Sequence, residues 1–134
     1  MSDPIFLTLL VAAVAFLGFK LYAARPRLSP RDAAREAASG RAEIVDVREP
    51  SEWSSGVAAP ATLLPLSDLR GDRTLWNAFL QESRDKRLLV YCHSGMRSAH
   101  AAAMLRKEGF DAVNLGGFSA WQSAGLPVRK PGKT

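Results

Sequence analysis

Apolar residues are spread unevenly along this chain. From Ile5 to Ala24, 17 of 20 residues are apolar, interrupted only by Thr8, Gly18 and Lys20. Twenty helical residues rise about 30 Å, the thickness of a bilayer's hydrocarbon core. The run therefore predicts one transmembrane helix ahead of a soluble domain. Lys20 lies near the end of the run, where its stem can snorkel to the interface, and Tyr22 suits the same layer. A cleaved signal peptide would start with basic residues, whereas Met1 to Pro4 carries Asp3 and no Lys or Arg. Small residues also fall poorly for cleavage, because Leu21 and Tyr22 stand two places before Ala23 and Ala24. We expect a retained anchor over residues 1–24 and a basic juxtamembrane linker over 25–28. Arg25, Arg27, Arg31 and Arg35 cluster after the apolar run. By the positive-inside tendency they place the following domain in the cytoplasm, at a bacterial inner membrane.

The rest of the chain is one domain in length. Lys plus Arg number 18 against 13 Asp plus Glu, a net charge of +5. Without Asp3 and Lys20 the balance is 17 against 12, so +5 stays with the soluble part, biased toward the membrane side, and points to a membrane surface and not to a nucleic acid. Ser29-Pro30 reads as an N-cap and first turn, with a helix continuing to Ser39 and Gly40 ending it. Strands are expected at 43–47, 62–64, 87–91 and 112–115. Helical turns or helices are expected at 49–54, 67–70, 74–84, 98–108 and 117–124. In the 74–84 helix, Leu75, Trp76, Phe79 and Leu80 form the apolar side. Strands alternating with helices predict an α/β domain with a mostly parallel sheet and helices on both faces. Residues 129–134 read as a flexible tail.

Cys92 is the sole cysteine, so there is no intrachain disulfide and no multi-cysteine zinc site. With no partner ligands beside His93 or His100, no metal site is expected. Cys92 follows the clearest strand, and His93-Ser94-Gly95-Met96-Arg97 lead into a helix at Ser98. Ligands of parallel sheets bind beyond the carboxyl ends of strands. A loop of this kind curls backbone N–H groups round one point, and Gly95 permits the necessary angles. A helix N-terminus and a nearby Arg favour a thiolate. A buried structural cysteine is the competing reading, but it would need no Gly, Arg and Ser in a tight turn. Arg97 stabilises either an anion or the loop itself. Ser98 bonds the sulfur or caps the helix. His93 assists proton transfer or points to solvent. Asp46 orients the loop or makes a cap or ion pair. Arg48 and Glu52, four apart, are expected to pair across a helical turn. Trp53, Trp76 and Trp121 read as core or cleft wall.

The segments Asp46-Val47-Arg48, Glu52-Trp53, Pro65-Leu66, Cys92 to Ser98, Gly116-Gly117-Phe118-Ser119-Ala120-Trp121 and Gly125-Leu126-Pro127-Val128 together resemble a single rhodanese domain. The likeness covers residues 29–128 and rests on the order and spacing of motifs that are weak singly. It implies a rhodanese-like, largely parallel sheet of five strands with helices on both faces. It also implies sulfur transfer. Cys92 would take sulfur from thiosulfate or a persulfide donor, become a persulfide, and pass that sulfur to cyanide or a thiol. Arg97 joins it as a catalytic residue, and His93, Ser94, Gly95, Met96 and Ser98 form the persulfide-binding loop. Asp46 and Arg48 support them, and no metal or organic cofactor is needed. The implied partners are a small sulfur-containing anion, an external thiol or acceptor protein, and the bilayer through residues 5–24. One departure is Val57-Ala58-Ala59-Pro60-Ala61, where the family usually reads His, Ile, any residue, Gly, Ala; it bears on substrate preference. Cysteine-based phosphatases place five residues between Cys and Arg, against four here, a tighter cradle suited to sulfur. A non-catalytic rhodanese-fold module that recruits partners at the membrane is the alternative function.

Overall fold

The computed structural model describes residues 3–24 and 28–132. Arg25 and Arg27 of the expected linker, and Lys133 and Thr134 of the expected tail, lie outside the described residues. Helix α1 (Pro4–Ala24) comprises the apolar run, and its Pro4–Tyr22 stretch is long and apolar enough to cross a membrane, with none of it buried against the domain. Helix α2 (Pro30–Ala38) starts as expected, with the Ser29 hydroxyl accepting from the Asp32 N–H at 3.2 Å.

Four strands form the main sheet: β1 (Ala42–Asp46), β3 (Thr62–Leu63), β4 (Arg87–Cys92) and β5 (Ala112–Gly117). Their order is β3-β1-β4-β5, and every neighbouring pair is parallel. The remaining strands, β2 (Val57–Ala58) and β6 (Val128–Arg129), form a separate antiparallel pair. The parallel sheet thus has four strands instead of five. Two-residue strands leave no alternation in a sequence to read, and β6 needs β2, with Val57 pairing to Arg129 from 72 positions away. Arg129 is accordingly no tail residue; its guanidinium also donates to the carbonyls of Ala59 and Ala61.

Successive side chains of a strand point to opposite faces, and β4 uses both. Leu88, Val90 and Cys92 join Val45, Val47, Trp76, Leu80, Ala101 and Leu105 in one core. That core is covered by helices α3 (Leu66–Arg70), α4 (Thr74–Glu82) and α5 (Met96–Lys107). Leu89 and Tyr91 face the other way, with Ile44, Val113, Leu115, Phe118 and Trp121. Helices α2 and α6 (Phe118–Ser123) close that side. The sheet therefore has helices on both faces, as a central strand apolar on both sides requires.

Trp76 and Leu80 turn inward from α4, but Leu75 stays 53% exposed. At 3.6 residues per turn Leu75 stands about 100° round the helix from Trp76, at the margin of the stripe that Trp76, Phe79 and Leu80 form. Two substitutions separate these environments. Leu89→Ala is expected to lower unfolding stability by about 2–5 kcal/mol through loss of buried methylenes. Leu75→Ala should shift it by no more than about 0.5 kcal/mol. Urea unfolding of both variants in detergent checks the contrast, and equal losses would contradict it.

Candidate active site

The site lies beyond the carboxyl end of β4. Cys92 ends the strand and is wholly buried. Gly95 follows with φ +91°, in the left-handed region that glycine enters without steric cost. This turns the chain back so that the Gly95 N–H donates to Cys92 Sγ at 3.0 Å. The Ser98 N–H, in the first turn of α5, approaches the same sulfur at 3.4 Å, and the Ser98 hydroxyl lies 3.3 Å from it. The loop thus aims two backbone N–H groups at the sulfur, with the Ser98 hydroxyl oxygen beside it. His93 and Ser94 are exposed on its outside, and Met96 is partly so. His100 is exposed further along α5.

Ser98 is held by a residue that sequence reading passed over. Its hydroxyl donates to Asn114 Oδ1 at 2.7 Å. Asn114 also accepts from the Gly116 N–H at 3.0 Å and donates through Nδ2 to the Gly95 carbonyl at 3.2 Å. One buried amide on β5 therefore ties the loop, α5 and the end of its own strand together. A register shift in the β4–β5 ladder accompanies it: Val90 pairs with Asn114 but Tyr91 with Gly116, leaving Leu115 as the extra residue. Gly117 allows the loop to lie close, since a Cβ there would meet the His93 carbonyl oxygen at 2.5 Å. The Gly116-Gly117 doublet is a sequence signal from which this approach is readable. A lone Asn in a strand carries no comparable one.

Arg97 points away from the sulfur's hydrogen-bond shell and grips Glu52 in a two-bond fork, at 2.6 and 2.8 Å. Glu52 also accepts from the Glu49 N–H at 3.1 Å. It sits in the 3-10 turn at Pro50–Ser55. The expected Arg48–Glu52 side-chain pair is not formed. Arg48 precedes that turn, so helical i,i+4 geometry does not apply to it. Instead its guanidinium makes a two-nitrogen contact with Asp46, the shortest bond 2.8 Å, both side chains being almost fully buried. The remaining Arg48 donors reach the carbonyls of Glu52 and Gly56. Its plane lies over the Phe118 ring at 4.6 Å. Asp46 thus ends β1 as half of an ion pair. That pair fastens the 3-10 turn, and the turn presents Glu52 to Arg97.

Beside this network, Tyr91 accepts from the Ala58 N–H at 2.9 Å, and burial pushes its phenol far above the ordinary range. Trp76 and Trp121 are core residues and Trp53 is half-buried. The segment Val57–Ala58 is β2, so the departing motif starts as a strand. Among the described residues, no three His, Cys, Asp or Glu side chains gather as a metal site would require.

A cysteine at the start of a loop between a parallel strand and a helix is the setting in which the chain is compared with known proteins. Residues 29–124 match the Rhodanese-like domain family, and the chain belongs to it. An uncharacterised Bacillus subtilis protein, YqhL, is 32% identical over 125 residues, which is 90% of this chain and 94% of that one. A sulfurtransferase of Allochromatium vinosum is 34% identical over 90 residues, 66% of this chain and 78% of its own. The crystal structure of a rhodanese-related protein from Thermoplasma volcanium aligns with a TM-score of 0.66 at 30% identity, over 80% of this chain and 100% of that one.

The fork has a pH signature. Hydrogen bonding to Arg97 is the main reason that the Glu52 carboxyl is lowered from 4.5 to about 2. A folded-state value below the unfolded one gives stability that is present above about pH 4.5 and lost as pH falls toward 2. Both side chains are about one-third exposed, so screening holds the contribution to on the order of 1 kcal/mol. The melting temperature of Glu52→Gln is therefore expected below wild type at pH 6–7, with the gap closing as pH drops from about 4.5. A gap that stays constant down to pH 3 would contradict the pairing.

Proposed function

We propose that this protein is a membrane-anchored sulfurtransferase whose nucleophile is Cys92. The observation that carries this reading is the sulfur itself, enclosed by the Gly95 N–H, the Ser98 N–H and the Ser98 hydroxyl at the carboxyl end of β4. Family membership and the relatives named as sulfurtransferases support it.

In the first half-reaction the Cys92 thiolate attacks the outer sulfur of thiosulfate. The sulfur–sulfur bond of thiosulfate breaks, sulfite leaves with the electron pair, and Cys92 becomes a persulfide anion. The Gly95 and Ser98 N–H groups, which donate to the Cys92 sulfur, are placed to stabilise that anion. In the second half-reaction, cyanide or a thiolate attacks the outer sulfur and leaves as thiocyanate or a new persulfide. Cys92 departs as thiolate, ready for another cycle. This is covalent catalysis in two displacements. With one cysteine in the chain, the acceptor thiol comes from another molecule.

Cys92 has no exposed surface at rest, so the donor engages it only as the His93–Met96 segment shifts outward. Arg97, committed to Glu52, acts by holding the loop's far end. Asp46 and Arg48 support that brace at one remove. Helix α1 anchors the enzyme, with the basic residues after it placing the domain on the cytoplasmic side of a bacterial inner membrane.

Steady-state rates with thiosulfate and cyanide test the chemistry. Varying both substrates is expected to give parallel double-reciprocal lines, the pattern of two displacements through a covalent intermediate. Cys92→Ser should retain the fold and lose turnover by at least about a thousandfold, the scale on which loss of a nucleophile is measured. Absence of turnover in the wild-type protein with any sulfane donor would instead favour a recruiting module. Hydrolysis of an aryl phosphate at a comparable rate would favour a phosphatase.

A further inference from the structure

Helix α1 stands clear of the domain for most of its length, and its main contact with the folded part is α5. At that contact Phe19 and Lys20 lie beside Met96, Ala99, His100 and Ala103. Met96 is the first residue of α5 and belongs to the loop that wraps Cys92. Ala99 and Ala103 keep this face of α5 low, so the last turns of α1 come close to its first two turns. The anchor therefore touches the domain next to the reactive loop.

Length makes the contact informative. A helix of 21 residues rises about 32 Å, barely more than the roughly 30 Å hydrocarbon core. Lys20 stands four residues before the end of α1, about 6 Å short of it at that rise. No slack is left to hold the domain away from the lipid. If α1 spans the bilayer, the surface packed on Phe19 and Lys20 reaches its boundary.

We infer that the first turns of α5, and with them the mouth of the Cys92 loop, rest in the head-group layer, and that the sulfur acceptor is a thiol held in that plane instead of one diffusing in bulk solution. Its thiolate attacks the outer sulfur of the Cys92 persulfide; that sulfur–sulfur bond breaks, the new one forms on the acceptor, and Cys92 leaves as thiolate with no net oxidation. This rests on the reading of α1 as an anchor.

The full chain in anionic vesicles tests both parts. In a Cys92→Ser background, nitroxide labels at Leu9→Cys, Met96→Cys and Gln81→Cys are compared for access to oxygen and to a water-soluble nickel chelate. Gln81 lies near the far end of α5, beside Glu108. A deep label at position 9, a boundary label at 96 and an aqueous one at 81 are expected. A label at 96 as aqueous as that at 81, with position 9 still deep, overturns the inference alone. An aqueous label at position 9 overturns the anchor itself. For transfer, the persulfidated protein is offered a thiol-headgroup phospholipid in the vesicle or glutathione outside it. Ala103→Trp, which wedges α1 from α5, is expected to slow transfer to the lipid thiol at least fivefold and leave glutathione transfer unchanged. Equal effects on both would overturn the acceptor assignment.

Discussion

Strand β4 is paired on both edges and packed on both faces, and the site depends on that position. Its pairing with β1 runs from Arg87 to Tyr91, and its pairing with β5 from Leu88 to Cys92. Four residues in a row, Leu88 to Tyr91, are almost completely buried. A strand so constrained cannot slip by one residue without turning Leu89 and Tyr91 into the wrong core. Cys92 is thereby delivered to one fixed point, at the carboxyl end of the sheet where the loop and α5 can close round it. The same pairing brings Asn114 alongside, so the amide that ties Gly95 to Ser98 is placed by the ladder that places the cysteine.

Two ion pairs then transmit rigidity to the loop, and they differ in kind. Asp46–Arg48 is buried, and each partner is supplied with further hydrogen bonds, as a charge removed from water requires. Breaking it from one side would strand the other charge. Glu52–Arg97 lies nearer the surface and is worth less on its own. Its geometry matters more than its energy: a fork of two parallel bonds fixes orientation as well as distance. Linked through the 3-10 turn, the pairs connect the end of β1 to the start of α5 across the top of the sheet.

The sequence made local features legible. Ser29-Pro30 announced the start of α2 because a cap bonds its own neighbours. The run from Arg87 to Cys92 and the Gly95 turn announced the strand and the loop. Resemblance to a family added the order in which these pieces fit. What stayed hidden depended on distant partners. Glu52 meets Arg97 from 45 positions away, and Asn114 meets Ser98 from 16. The i,i+4 rule paired Arg48 with Glu52 because spacing alone does not say whether a residue lies inside a helix. Strands β2 and β6 exist only through each other, and Leu75 differs from Trp76 by about 100° of turn on the same helix.

The central claim is that Cys92 carries sulfur as a covalent intermediate, and the mass of the protein tests it most directly. The full chain in detergent is treated with thiosulfate, measured intact, digested and mapped, then exposed to cyanide. The account predicts a gain of one sulfur atom, located on the Cys92 peptide and removed by cyanide. A protein that takes up no sulfur, or takes it up equally as Cys92→Ser, would contradict it.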